Sequence, residues 1–419
     1  MSRILIVNKF LYPNGGSETY IFKLGEQLQK EAHEVQYFGM LDERNIVGNT
    51  AASYTGNMDF HTGKLSKLLY PFKIIYSVEA RRAIRRVLDD FMPDVVHLNN
   101  FNFQITPSVI YEIRKYQKQT GHKVKIVFTA HDYQLICPNH MLRCPKSGSN
   151  CVKCIDGAYT NCIKGRCIHG STVKSILGAA EGSFYRIFKA YRYIDTVICP
   201  SAFIRDKLEH NPQLRGKTIL LPNFLTVDQD KQNNRNKAQA EYAVYFGRYS
   251  EEKGIGTLLK ACKALPHIPF IFAGKGPLEE EINRVDNIDN KGFLEGDALI
   301  ELIAGAKFSI YPSEWYENCP FSVMESIQYG TPVLGADIGG IPELIEDGVT
   351  GELFESGNER QLTEKIDKLW KDAETAERYA EGCRNKKFIT LEEYTREMVG
   401  IYNHISRKDF HYERKDSMD

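Results

Sequence analysis

No stretch of this 419-residue sequence approaches the roughly eighteen consecutive apolar residues that a membrane-spanning helix needs, which excludes an integral span. Net charge is absent as well, since 54 Lys and Arg balance 54 Asp and Glu. There is no internal repeat and no low-complexity tract, so solenoid and fibrous architectures drop out. The opening residues MSRILIVNKF lack a signal-peptide apolar core followed by a small-residue cleavage site. The expected setting is therefore the cytoplasm, where thiols stay reduced.

What is present is ordinary in bulk and uneven in distribution. A hydrophobic fraction of 42% and a charged fraction of 26% suit a globular protein long enough for two or three domains. Residues 1–226 hold 30 basic against 18 acidic side chains, and the remainder 24 against 36. A basic first half suits an anionic partner, such as a phospholipid surface, a pyrophosphate-linked substrate or nucleic acid.

Hydrophobic periodicity gives the fold class. RILIVN (3–8) is a continuous apolar run, the pattern of a parallel strand buried on both faces. A glycine-containing loop, the helical stretch TYIFKLGEQLQKEAH and a second strand, EVQYFGM, follow it. DVVHLNN, KVKIVFTAHD, DTVICPS and KTILLPN repeat the theme. After a polar linker at 227–241 the pattern restarts with EYAVYFGRYS, HIPFIFAGKG, NKGFLEG, AKFSIYPSE and TPVLGAD. This predicts two doubly wound α/β domains, at 1–226 and 242–395, with a helix and tail at 396–419. Ligands of such sheets bind beyond the strand C-terminal ends, in the cleft.

Three segments carry chemistry. NGGSE (14–18) puts paired glycines, Gly15 and Gly16, between the first strand and first helix, where backbone can approach an anion; it is neither a Walker motif nor a full dinucleotide fingerprint. FGRYSEEKGI (246–255) sets Arg248 and Lys253 at a strand end, two cations suited to a diphosphate. EWYENCPFSVMESIQYGTPVLG (314–335) spaces Glu317 and Glu325 eight residues apart, with a helix starting near Phe321–Ser322. The N–H groups of that start can hold phosphate oxygens, and Glu325 can accept from a ribose diol.

GGSE, GR-x4-KG, AGKGP (273–277), E-x7-E and GGIPELIEDGVTG (339–351) occur in that order. The set resembles the retaining glycosyltransferases of family 4, which have the GT-B fold of two facing Rossmann-like domains. The resemblance implies a nucleotide-diphosphate sugar as donor and a glycan or lipid-linked acceptor. It makes Arg248 and Lys253 the diphosphate cations, approached by Gly15 and Gly16 from the opposite domain. It gives Glu325 the ribose, Glu317 and the backbone of Cys319, Pro320, Phe321 and Ser322 the transferred sugar, and Phe293 and Leu294 the base. His131 matches a cleft-facing histidine beside the donor. No catalytic metal is expected, because fixed cations would meet the charge on the departing diphosphate. Polysaccharide or glycolipid assembly is the expected role. A GT-B epimerase or phosphorylase, or a zinc-dependent nucleic-acid-binding protein, would be the alternatives; no nucleic-acid partner is expected.

Two further features stand outside those motifs. KLSKLLYPFKIIYSVEARRAIRRVL (64–88) either lies peripherally on an anionic membrane face or packs its apolar side inward. Six of ten cysteines fall between residues 137 and 167, in an excursion directly behind His131. Cys151, Cys154, Cys162 and Cys167 form C-x2-C-x7-C-x4-C, a candidate structural zinc set; reduced packing thiols and disulfides are the other readings.

Overall fold

The computed structural model describes residues 1–56, 73–226 and 241–403. Its first half contains β1 (Arg3–Val7), β2 (Glu34–Phe38), β3 (Val95–Leu98) and β4 (Lys125–Thr129), then a short antiparallel hairpin, β5 (Arg143–Cys144) and β6 (Ser149–Asn150), then β7 (Thr196–Cys199) and β8 (Thr218–Leu220). Six of these make a parallel sheet in the order β2-β1-β3-β4-β7-β8. The second half contains β9 (Ala243–Phe246), β10 (Phe270–Ala273), β11 (Ile288–Asn290), β12 (Phe308–Tyr311), β13 (Val333–Ala336) and β14 (Gly351–Phe354). These make a second parallel sheet, β11-β10-β9-β12-β13-β14. The two α/β layers face one another across a cleft, which is the GT-B architecture.

The unbroken apolar strands follow from burial on both faces. In β1, Leu5 and Val7 enter one core while Ile4 and Ile6 enter the core on the opposite side. Neither face can carry a polar side chain, so the alternation of a half-exposed strand is lost. The helix Val78–Phe91 buries Ile84, Val87, Leu88 and Phe91, and Arg85 pairs with Asp89 and Glu112. The helical part of the basic stretch thus packs its apolar side inward; residues 64–72 lie outside the described residues. Among the described residues no helix is long and apolar enough to cross a membrane.

Three elements differ from the sequence reading. The strand expected at NKGFLEG ends at Asn290, and Phe293 beyond it is 60% exposed. β14 and the β5–β6 hairpin carry too few apolar residues to declare themselves. Of the expected linker, residues 227–240 lie outside the described residues. The final described helix, Leu391–Tyr402, opens with a Thr390–Glu393 capping box and packs on the first half. Tyr394 hydrogen-bonds Tyr20 at 2.8 Å, and the Tyr402 hydroxyl meets His97 Nδ1 at 2.8 Å. The last helix thus ties the second half back onto the first.

Candidate functional site

In the second sheet the strand order reverses between β9 and β12, so their following loops part and leave a crevice at the carboxyl ends. The loop after β9 closes at Gly254, with φ of +71°. A Cβ there would stand 1.8 Å from the Pro312 carbonyl oxygen, so only glycine lets this turn lie on the loop after β12. That contact sets Lys253 against Glu317: Nζ donates to Oε1 at 2.6 Å. Ser313 Oγ donates to the same oxygen at 2.9 Å, and the ammonium lies 5.4 Å above the Trp315 ring. Burial alone would lower the Lys253 pKa, but the Glu317 carboxylate and Tyr311 outweigh it and raise it well above the usual lysine value. Lys253 is therefore a fixed cation.

The GGIPE segment completes the loop's support. Gly340 N–H donates to the Glu317 carbonyl at 2.8 Å, and a Cβ on Gly340 would stand 1.8 Å from the Asn318 carbonyl oxygen. The helix Phe321–Gln328 then begins without a side-chain cap, leaving its first N–H groups facing outward from Pro320. Glu325 lies one turn in, its pKa pushed up to about 7 by burial. Cys319 and Pro320 are buried, Phe321 and Ser322 half-buried. Lys253 and Glu317 thus stand on neighbouring loops, with residues 319–322 and Glu325 at the helix start that follows.

Other expected residues are placed differently. The Arg248 side chain is 59% exposed and pairs with Glu252, whose backbone carbonyl receives the Glu314 N–H at 3.0 Å. Phe293 is exposed with Lys275 5.9 Å above its ring, and Leu294 packs beside the Val244–Phe246 core. From the first half, Gly15 and Gly16 are exposed, and a Cβ on Gly16 would stand 3.5 Å from the Phe321 ring. His131 Nε2 meets Asn99 Oδ1 at 2.9 Å, with the Tyr20 ring 4.8 Å away. Burial pushes its pKa down to about 3, so the imidazole is neutral.

Sequence reasoning missed the residues that join the halves. Asn318 donates to the Ala130 carbonyl at 2.6 Å and accepts from Ser201 at 2.8 Å. The Tyr133 hydroxyl donates to the Tyr316 carbonyl at 3.1 Å, and Asn223 donates to that of Cys319 at 3.0 Å. The Glu343 carboxylate accepts from Ala202 and Phe203 N–H at the start of a helix in the other half. Arg143 and Asn150, on the two strands of the hairpin, both donate to the Glu314 carbonyl, at 2.7 and 3.1 Å. No local pattern marks these polar residues; their partners lie far off in sequence.

Cys137, Cys151, Cys154, Cys162 and Cys167 line one small cavity of about 20 Å3 behind that hairpin. All are free thiols. Burial pushes Cys137 up to about 11 and Cys154 up to about 12, so both are protonated at neutral pH. Among the described residues no three His, Cys, Asp or Glu side chains are gathered to hold a metal ion.

Comparison with known proteins places the chain as a whole. The model for Glycosyltransferase Family 4 matches residues 14–229, and that for Glycosyl transferases group 1 matches residues 226–386. An α-D-kanosaminyltransferase of Streptomyces kanamyceticus is 24% identical over 225 residues, 48% of this chain and 58% of that protein. The O-antigen chain mannosyltransferase C of Escherichia coli is 24% identical over 241 residues, 52% of this chain and 65% of that protein. The chain spans about three-fifths of the length of both. Sucrose-phosphate synthase of Thermosynechococcus elongatus superposes with a TM-score of 0.67 at 18% identity, covering 96% of this chain and 98% of that one. Anabaena HepE, solved with UDP, gives 0.65 at 16% identity over 96% of this chain and all of the other. With one family model spanning just over half the sequence and another most of the rest, the chain belongs to glycosyltransferase family 4.

Proposed function

We propose that this chain transfers a glycosyl group from a nucleotide-diphosphate sugar to a hydroxyl of a glycan or lipid-linked acceptor, with retention at the anomeric carbon. The observation that carries the reading is the buried Lys253–Glu317 pair at the switch point, beside the uncapped start of Phe321–Gln328. Lys253 and those N–H groups meet negative charge as the diphosphate departs, and being fixed in advance they need no reorganisation. Glu317, oriented by Lys253 and Ser313, accepts hydrogen bonds from the sugar hydroxyls. Glu325 takes the ribose diol, and Arg248 swings from Glu252 to the outer phosphate. His131, being neutral, orients the donor by hydrogen bonding and carries no charge. The acceptor oxygen bonds to the anomeric carbon on the face from which the diphosphate oxygen departs, and its proton passes to that leaving phosphate; bond making and breaking on one face retain configuration. A zinc ion on Cys151, Cys154, Cys162 and Cys167 would brace the excursion and take no part in transfer.

The test pairs binding with turnover. UDP-, GDP- and ADP-sugars are screened for a rise in melting temperature, since a ligand that binds only the folded state stabilises it. The stabilising donor is then assayed for acceptor-dependent release of nucleoside diphosphate, and the product anomer is read by NMR. No stabilising donor, acceptor-independent conversion of the donor, or an inverted product would each overturn the reading.

A further inference from the structure

The helix Thr172–Ile187 is built inside out. Its buried positions are Ser175, Gly178, Ala179, Glu181 and Tyr185, whereas its large aliphatic side chains turn to solvent. Val173 is 68% exposed, Ile176 46% and Ile187 70%, and Phe188, just past the helix end, is 58% exposed. Exposed Ala180 and half-buried Phe184 fall between them at helical spacing, so all lie on one face, and the Phe184 and Phe188 rings meet at 4.5 Å. From Val173 to Ile187 that face runs about 21 Å. Close packing explains the inward half. A Cβ on Gly178 would stand 2.4 Å from Ile168 Cδ1, and one on Gly182 3.1 Å from the Tyr159 ring, so the cysteine excursion leaves no room for bulk. Ser175 is satisfied there: its Oγ donates to the Ser171 carbonyl at 2.8 Å and accepts from the Ile168 N–H at 3.1 Å.

Packing does not explain the outward half. A lone exposed apolar residue is ordinary, but a helix against water puts its polar side chains outward, and a continuous apolar row marks a surface that something covers. The charge around the row has one sign. Residues 141–192 hold nine Lys and Arg against two acidic residues. Of those two, Glu181 is buried, and Asp156 Oδ1 meets His210 Nδ1 at 3.1 Å. Exposed Lys164 and Arg166 precede the row, and exposed Lys189 and Arg192 follow it. We propose that this face seats on a bilayer surface rich in anionic lipid, with the apolar row entering the acyl boundary and the flanking cations meeting headgroup phosphates. A second copy of the chain is the poorer occupant, because it would set these same cations against one another. The contact falls on a different element from the basic helix Val78–Phe91, whose apolar side is already spent on the core.

The proposal goes beyond the transfer reading and is tested apart from it, since binding is read without donor or turnover. The full chain is sedimented with vesicles of phosphatidylcholine alone and of phosphatidylcholine with about one-third phosphatidylglycerol. Wild type should bind the anionic vesicles about tenfold more tightly than the neutral ones. Ile187→Glu/Phe188→Glu should cut that binding about tenfold and Lys189→Gln/Arg192→Gln about fivefold. Val349→Ser, which alters an exposed apolar residue of the second half, should leave it as in wild type. The melting temperature should stay unchanged in all three. If Ile187→Glu/Phe188→Glu fails to give a cooperative melt, Val173→Ser/Ile176→Ser at the other end of the row decides, with a cut of about fivefold. Wild type that does not sediment with anionic vesicles, or a row variant that binds them as wild type does, overturns the proposal. So does a wild-type dimer that either row variant turns into a monomer, because a second copy then covers the face. A chain that binds vesicles through this face but releases no nucleoside diphosphate keeps the surface and loses the transfer reading.

Discussion

Two loops from opposite sheets meet at the Glu314 carbonyl, and they handle buried ionisable groups in opposite ways. The loop after β12 buries Glu317 and pairs it with Lys253 at 2.6 Å. The cysteine excursion buries protonated thiols, and the helix behind it, Thr172–Ile187, buries Glu181 with Oε1 unpartnered among the described residues. Burial pushes the Glu181 carboxyl up to about 8, so it is neutral at pH 7. One buried glutamate has a lysine 2.6 Å away, and the other has no cation beside it among the described residues. One region supplies a counter-group at a sheet switch point, and the other buries its carboxyl without one, where desolvation favours the neutral form.

The sharpest break in that contrast is to remove one partner of the charged pair. Lys253→Ala or Glu317→Ala should lower transfer at least a hundredfold and cost about 3 kcal/mol, because either leaves a buried charge uncompensated. Urea unfolding and a diphosphate-release assay read the two effects separately. The double variant Lys253→Met/Glu317→Leu should regain most of the stability and none of the transfer; regained transfer would show that the pair is structural.

Glu181 should answer in the opposite sense. Its folded pKa of about 8 lies above the usual 4.5, so its contribution to stability is fully present below 4.5 and lost as pH rises through 8. The loss runs at about 1.4 kcal/mol per pH unit across that window. Glu181→Gln should leave the melting temperature unchanged at pH 5 and raise it at pH 8.5. A variant that melts lower at both would mean the carboxylate has a cation partner after all.

Smaller effects belong to the seam and to the thiols. Arg143→Ala with Asn150→Ala frees the Glu314 carbonyl, which should raise the donor KM several-fold, move kcat less, and cost about 2 kcal/mol. A fall in kcat with KM unchanged would instead put the hairpin in the chemical step. Single Cys154→Ser or Cys162→Ser changes should each cost about 1–2 kcal/mol as buried polar replacements. Near one equivalent of zinc in the purified protein, with a far larger loss in both variants, would carry the metal reading; ten titratable thiols after denaturation without reductant and no zinc would carry packed thiols.

Much of this was legible in the primary structure, for a definite reason. Strands buried on both faces must be apolar throughout, so RILIV and AVYF announce themselves, and the glycines of GR-x4-KG and GGIPE mark where backbone must pass within a van der Waals contact. The helix start at Phe321 was equally plain. Edge strands were not: Ile288–Asn290 has one apolar residue to bury, so the phenylalanine after it drew the expected strand too far along the chain. Arg248 shows the same limit at the site, because position at a strand end does not reveal that Glu252 holds its guanidinium. What the sequence determined alone is the two-sheet architecture and the motif positions, since both follow from short-range periodicity and from glycine at fixed offsets. What only the tertiary structure decided is pairing: Lys253 with Glu317 across 64 residues, and Asn318 with Ala130 across 188. The energy of a charge in the interior depends on distances of a few ångströms between groups far apart in the chain, and only the folded backbone sets those distances.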